Sequence, residues 1–119
     1  EVVPHHEFYS YEAKYIDEQG AGLEIPAKLT DEQVSSVQEL AIESFQALCC
    51  EGMARVDFFL SPDGRFVMNE INAIPGFTRI SMYPKLFEAS GISYADLIDR
   101  LVKLAIARHE RQQGLKTSR

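Results

Sequence analysis

Arg55 and Asp57 lie two residues apart, and so do Glu70 and Asn72; these four have the types and spacing to do chemistry together. They fall in the stretch ARVDFFLSPDGRFVMNEINAIPGFTRISMY, Ala54 to Tyr83. Side chains alternate faces along a strand, so on two adjacent strands each pair projects to one side. Ser61-Pro62-Asp63-Gly64 between them is a turn signal. With Asp63-Gly64 as a two-residue turn, Asp57 faces Glu70 and Arg55 faces Asn72. Carboxylates directly opposite on a sheet repel, and a cation between them would remove that cost. A four-residue loop, Ser61 to Gly64, shifts the pairing by two and keeps the four groups on one face. A three-residue loop with a glycine bulge shifts it by one and turns Glu70 away. Ser-Pro-Asp-Gly also suits a type I turn, so the register stays open at this level.

The ligand types name the ion. Asp, Glu and an Asn carbonyl are hard oxygen donors, suited to Mg²⁺ or Mn²⁺ and not to Zn²⁺. Mg²⁺ keeps waters and commonly takes one or two carboxylates together with substrate phosphates. A neighbouring arginine can neutralise phosphoryl or oxyanion charge. The face therefore reads as a site for a magnesium-bound nucleotide, and the chain has no GxxxxGK[ST] loop. The competing reading is a half-solvated hairpin whose charges face water. Val56, Phe58 and Leu60 on one strand and Val67 and Ile71 on the other weigh against it, because apolar strands lie inside domains where charges need partners.

The elements that must position these residues follow from periodicity. Thr30 to Gln33 forms a capping box, with Asp31 and Glu32 in the first turn. Val34, Val37, Ala41, Phe45 and Leu48 then predict one buried helical stripe, with Leu40 at its edge and Gly52 as the left-handed cap. The adjacent Cys49 and Cys50 are expected to be small buried apolar residues in a reducing compartment. After the hairpin, Pro75 stiffens a loop and Gly76 lets a backbone N–H approach a ligand. A short helix is predicted from about Tyr83 to Ala89, with Ser81 as its N-cap or as a hydroxyl donor to a ligand. Ser93 caps a last helix carrying Leu97, Ile98, Leu101, Val102 and Ala105, expected to fray from His109 onward. The first thirty residues lack clean periodicity; Glu7 to Tyr15 holds four aromatics and Lys14, and reads either as a surface loop or as a lid presenting Lys14 to phosphate.

Composition sets the outer bounds. The chain has 119 residues, 45% of them hydrophobic, and a net charge of −6, which argues against a nucleic-acid partner. No run approaches the roughly 18 apolar residues of a membrane span and no signal peptide is seen, so no membrane partner and a cytoplasmic location are expected. The chain opens without Met, and we expect a fragment whose missing part lies upstream.

Three segments carry a resemblance: FYSYEAKY (Phe8 to Tyr15), ARVDFF (Ala54 to Phe59) and NEINAIPGFTRISMYPKLFEASGISYADLI (Asn69 to Ile98). In order and spacing they resemble the C-terminal part of D-alanine–D-alanine ligases, members of the ATP-grasp superfamily. The resemblance implies an α+β fold, the C-terminal lobe of an ATP-grasp domain, with an antiparallel sheet packed with helices. It divides the chain into residues 1–29, a strand and mobile loop, and residues 30–119, holding a helix, a metal-binding hairpin, a substrate loop and the C-terminal helices. By that resemblance ATP would phosphorylate one D-alanine to an acyl phosphate, which the amine of a second would attack. Asp57, Glu70 and Asn72 would hold two Mg²⁺ or Mn²⁺ ions, with Glu70 bridging. Arg55 and the Gly76 N–H would stabilise the acyl phosphate and the oxyanion, and Ser81 would hold the second carboxylate. Lys14, Phe8, Phe59 and Asn69 are expected at the nucleotide. Tyr15 implies D-alanine as acceptor, since relatives using D-lactate have histidine there. Ala73 departs from the threonine of many relatives. The partners implied are D-alanine, ATP and the upstream region of the same enzyme, with homodimer contacts lying largely upstream. The alternatives are another ATP-grasp carboxylate–amine ligase and a non-catalytic nucleotide-binding module.

Overall fold

The computed structural model describes residues 1–4 and 21–114, in two units, Glu1–Thr30 and Asp31–Arg119. In the first unit, β1 (Val2–Pro4) pairs antiparallel with β2 (Ala21–Leu23), Val3 opposite Gly22. The terminal ammonium of Glu1 donates to the Glu24 carbonyl at 2.8 Å, and the Glu24 N–H returns a bond to the Glu1 carbonyl at 2.9 Å. Lys28 closes on the Glu24 carboxylate at 2.9 Å. Phe8, Lys14 and Tyr15, with the lid expected around them, lie outside the described residues.

The second unit runs α1 (Asp31–Ala47), β3 (Arg55–Leu60), β4 (Phe66–Asn72), α2 (Met82–Ala89) and α3 (Tyr94–Gln113). The strands form an antiparallel hairpin, and α1 packs against both of them. The fold is α+β, as expected.

α1 begins where the capping box puts it and stops earlier than expected. The Cys50 N–H donates to the Phe45 carbonyl and the Cys49 N–H to the Gln46 carbonyl, both at 3.0 Å. That pair of bonds is the Schellman pattern, and the left-handed residue it needs is Cys49, with φ of 51°. Gly52, expected to cap this helix, is a second left-handed residue further on, at φ 83°. Two expectations fail with the early stop. Leu48 lies past the last helical residue, so it leaves the stripe and is exposed; Cys49 is exposed as well, and Cys50 is half-buried. Val34 is also exposed, while Leu40, expected at the edge, is half-buried beside Val37, Ala41, Ser44 and Phe45. Ala41, Ile42, Phe45 and Gln46 of α1 line an open cavity of about 330 Å³ with Ala54 and Val56 of the hairpin.

The most buried side chains are elsewhere. Among the described residues, Pro75, Tyr83, Pro84 and Leu97 are buried. Phe77, in the loop after β4, stacks on Tyr83 at 5.8 Å and on Tyr94 at 5.6 Å, and Tyr83 meets Phe87 at 5.0 Å. This aromatic cluster fastens the loop to α2 and α3. Aromatic pairs at these separations add to the energy of burial itself. α2 ends in a second Schellman pattern, the Ile92 N–H donating to the Phe87 carbonyl at 2.9 Å with Gly91 left-handed at φ 84°. Ser93 caps α3 by accepting from the Asp96 N–H at 3.1 Å, as its position predicts. The fraying expected from His109 does not occur within the described part of α3. Arg108 and Arg111 both pair with Glu51, at 2.8 and 3.0 Å, and the helix stays regular to Gln113. No described helix is long and apolar enough to cross a membrane.

Candidate functional site

The hairpin turn decides which face the carboxylates share. Gly64 is left-handed at φ 83°, its N–H donates to the Ser61 carbonyl at 2.9 Å, and the Ser61 N–H donates to the Arg65 carbonyl at 2.9 Å. This is the three-residue loop with a glycine bulge. The Ser61 hydroxyl reinforces it, contacting Asp63, donating to the Arg65 carbonyl at 2.8 Å and accepting from the Arg65 N–H at 3.1 Å. Near the turn Leu60 faces Phe66 and Phe58 faces Met68, a register that would carry Glu70 to the apolar face. It does not, because the ladder shifts again between Asp57 and Phe58, where β4 carries Asn69 as an extra residue. The two one-residue shifts cancel. Asp57 therefore faces Glu70 and Arg55 faces Asn72, the pairing that the simple two-residue turn gives for a different reason.

Arg55 takes the place of the cation between the carboxylates. Its Nε donates to Asp57 Oδ1 at 2.8 Å and to Oδ2 at 3.2 Å, and its Nη2 donates to Oδ2 at 2.8 Å. The same Nη2 reaches Glu70 Oε1 at 3.5 Å. Hydrogen bonding to Asp57 raises the Arg55 pKa above its ordinary value, against a smaller opposing effect of partial burial. Asn72 Oδ1 accepts from the Ile74 N–H at 3.0 Å and so shapes the first step out of β4; its second lone pair is not used by that bond. By strand alternation Phe59 stands on the same face as Asp57, opposite Val67, and both are exposed. Asn69, at the second shift, is exposed too.

Gly76 and Ser81, the other candidate site residues, meet in the stretch between β4 and α2. A Cβ on Gly76 would lie 3.3 Å from Ser81 Oγ, tighter than side chains ordinarily pack. Ser81 occupies the N-cap position of α2 but makes no side-chain cap bond. Its hydroxyl turns back to Thr78, accepting from the Thr78 N–H at 3.0 Å and forming a hydrogen bond with Thr78 Oγ1 at 2.8 Å. The plain N-cap reading of Ser81 therefore does not apply. Thr78 was not singled out from the sequence, although its three-residue spacing to Ser81 was the available signal.

The donor set suits a hard divalent ion in one particular way. Asp57, Glu70 and Asn72 offer oxygen only. Among the described residues no third carboxylate, histidine or cysteine clusters with the two acids. Two carboxylates and an amide are too few for a closed cage of protein ligands, but they match an ion that keeps water and shares substrate phosphates.

An α+β unit with an acidic hairpin, a basic residue within it and a glycine–serine loop at its exit describes a lobe of the ATP-grasp ligases. The chain matches the family model "D-ala D-ala ligase C-terminus" over residues 1–103, and it belongs to that family. It is 60% identical over 119 residues to the D-alanine–D-alanine ligase of Oceanobacillus iheyensis, covering 100% of this chain and 32% of that relative. It is 62% identical over 110 residues to D-alanine–D-alanine ligase B of Bradyrhizobium diazoefficiens, covering 92% and 29%. Among solved structures, the D-alanine–D-alanine ligase of Coxiella burnetii superposes with a TM-score of 0.72 at 50% identity, over 73% of this chain and 25% of that one. The VanG D-Ala:D-Ser ligase of Enterococcus faecalis gives 0.69 at 39%, over 71% and 25%. The Bacillus anthracis D-alanine–D-alanine ligase complexed with ATP gives 0.66 at 29%, over 75% and 31%. The chain thus spans about a third of the length of the curated relatives it matches.

Proposed function

We propose that this chain handles metal, nucleotide phosphates and acceptor carboxylate within a longer ATP-dependent D-alanine–D-alanine ligase. The observation that carries the reading is the shared face of Arg55, Asp57, Glu70 and Asn72, held in register by two compensating irregularities of the hairpin. Membership of the family and the high identity to D-alanine–D-alanine ligases support the substrate. Similarity to an ATP-complexed relative supports the nucleotide.

In the proposed reaction a carboxylate oxygen of one D-alanine takes the γ-phosphoryl group of ATP, releasing ADP. The amine of the second D-alanine attacks the acyl carbon, and inorganic phosphate leaves. Asp57, Glu70 and Asn72 would hold two Mg²⁺ or Mn²⁺ ions, which when bound supply charge neutralisation at the phosphates. Arg55 and the Gly76 N–H stabilise the developing negative charge. The Ser81 hydroxyl, steadied by Thr78, holds the carboxylate of the acceptor. Lys14 contacts phosphate, Tyr15 belongs to the acceptor side, and Phe8, Phe59 and Asn69 contact the nucleotide. The product enters peptidoglycan precursor synthesis in the cytoplasm. The 119-residue chain by itself has little or no ligase activity, because the first D-alanine site and the rest of the ATP cleft belong to the upstream region.

The test is ADP release by the full-length protein with Mg²⁺ and ATP, comparing D-alanine alone, D-alanine with D-lactate, D-alanine with D-serine, and no added substrate. Release on D-alanine alone, with the dipeptide as product, is expected. Similarity to the VanG D-Ala:D-Ser ligase favours a second reading, in which another acceptor is preferred. A mixed product formed in preference to D-alanyl-D-alanine would establish that reading. Absence of D-alanine-dependent release would overturn both.

A further inference from the structure

Asp57 accepts from Arg55 on both carboxylate oxygens. Arg55 Nε lies 2.8 Å from one and Nη2 lies 2.8 Å from the other, while the same Nη2 reaches across the hairpin to Glu70 at 3.5 Å. The guanidinium therefore engages each Asp57 oxygen and sets its positive charge beside the lone pairs that a divalent ion would use. It also sits between two acids that the ladder sets directly opposite one another, where they would otherwise repel. A hard dication bound through these oxygens at about 2.1 Å would stand within a few ångströms of the guanidinium, and the two positive charges would repel at short range. Metal on the remaining lone pairs is therefore disfavoured while Arg55 stays in place, and the competition is one of charge. The Arg55 side chain is 27% exposed and Glu70 is 56% exposed, so the guanidinium has an open side on which to leave.

We propose that Arg55 is a resident place-holder cation that competes with the divalent metal for Asp57 and Glu70 and is released by metal binding to serve the anionic groups of the substrates. The inference rests on the metal reading given above and adds a direction to it. Without metal, Arg55 keeps the two acids paired across the hairpin at their working register. With metal, the same guanidinium becomes available to phosphate. Linkage makes the competition reciprocal: the tighter Arg55 holds Asp57, the weaker the metal binds, and an anion that draws Arg55 away strengthens metal binding.

The experiment is Mn²⁺ binding to the full-length protein, followed by loss of the free-ion electron paramagnetic resonance signal, without and with a non-hydrolysable ATP analogue. Arg55→Met is expected to bind Mn²⁺ about 5- to 10-fold more tightly than wild type without nucleotide, the equivalent of about 1–1.4 kcal/mol. With the analogue present the sign is expected to reverse, because the anion has then lost its partner. Arg55→Lys, which keeps the charge without the fork, should show a smaller gain than Arg55→Met. Unchanged or weaker binding in nucleotide-free Arg55→Met, with Asp57→Asn abolishing binding in the wild-type background, would make Arg55 a structural brace and overturn the proposal. No Mn²⁺ binding by wild type or Arg55→Met would overturn the metal reading itself, and the proposal with it. Should Arg55→Met fail to fold, the wild-type protein decides the matter by nuclear magnetic resonance. The Arg55 Nε–H, protected while it donates to Asp57, is expected to lose protection as Mg²⁺ saturates, and persistent protection would overturn the proposal.

Discussion

Replacing Asp57 by Asn removes one charge and almost no volume, so it isolates the electrostatics of the hairpin face. Arg55 would lose its charged partner at three contacts of 2.8, 3.2 and 2.8 Å. Hydrogen bonds to charged groups contribute about 1.5–3 kcal/mol when buried, and exposed ion pairs about 0.2–1 kcal/mol. Side-chain exposures of 27% for Arg55 and 37% for Asp57 place this pair between those cases, at about 1–2 kcal/mol. Against that loss, the substitution relieves the repulsion between Asp57 and the facing Glu70, about 0.2–1 kcal/mol. The net expectation is a destabilisation of about 1 kcal/mol, within a range of about 0–1.8, read as a lower urea midpoint at pH 7 with an unchanged slope. Glu70→Gln is the matched control. Its contact to Arg55 is long, 3.5 Å, and its side chain is 56% exposed, so stability should stay within about 0.5 kcal/mol of wild type. Both substitutions are expected to abolish ligation in the full-length protein. An Asp57→Asn protein more stable than wild type would mean that acid–acid repulsion outweighs the Arg55 pair, refuting the electrostatic argument. Unchanged turnover would remove Asp57 from the proposed metal site.

Cys49→Gly should stabilise the protein by about 0.5–1 kcal/mol in the same urea assay. It relieves the left-handed strain at φ 51° and loses little burial, while glycine's greater freedom when unfolded offsets part of the gain; a loss of stability would count against the cap. Gly76→Ala places a Cβ 3.3 Å from Ser81 Oγ and should weaken acceptor binding by about 1–2 kcal/mol, roughly a tenfold rise in KM for the second D-alanine with the first unaffected. Equal effects on both would sink the assignment of Ser81 to the acceptor. Burial raises the Tyr83 pKa, so this phenol should ionise above the usual tyrosine value of about 10 in a spectrophotometric titration. The stability linked to it is fully present below that unfolded value and is lost as pH rises through the higher folded pKa. Loss of stability starting well below pH 10 would point to another group.

Much of the second unit was legible because local chemistry and tertiary context agree there. The helix starts at Asp31 and Tyr94 and the Ser93 cap follow from residues whose local hydrogen bonding is the reason for the feature. The end of α1 was misread because glycine was the expected left-handed residue, whereas Cys49 takes that conformation three residues earlier. Leu48 left the stripe with it, while Val37, Ala41 and Phe45 kept their places. Ser81 shows the same limit: its type and position suit a cap, yet the neighbouring Thr78 offers its hydroxyl two bonds that no propensity describes.

The sequence alone determined that Arg55 and Asp57 share one side of a strand and that Glu70 and Asn72 share one side of the next, since strand alternation is a local property of the backbone. It also determined the family, through motifs spread over nearly the whole chain. Whether the two sides coincide was decided only in the tertiary structure, because pairing register depends on every residue between the strands. Gly64 shifts the ladder by one at the turn, one of the readings the turn residues left open, and the extra residue Asn69 shifts it back, which no residue type signals. The placing of Arg55 between the acids was decided there too. Only the assembled hairpin brings the Arg55 guanidinium onto both carboxylates, where pairing lowers the electrostatic cost of setting like charges face to face.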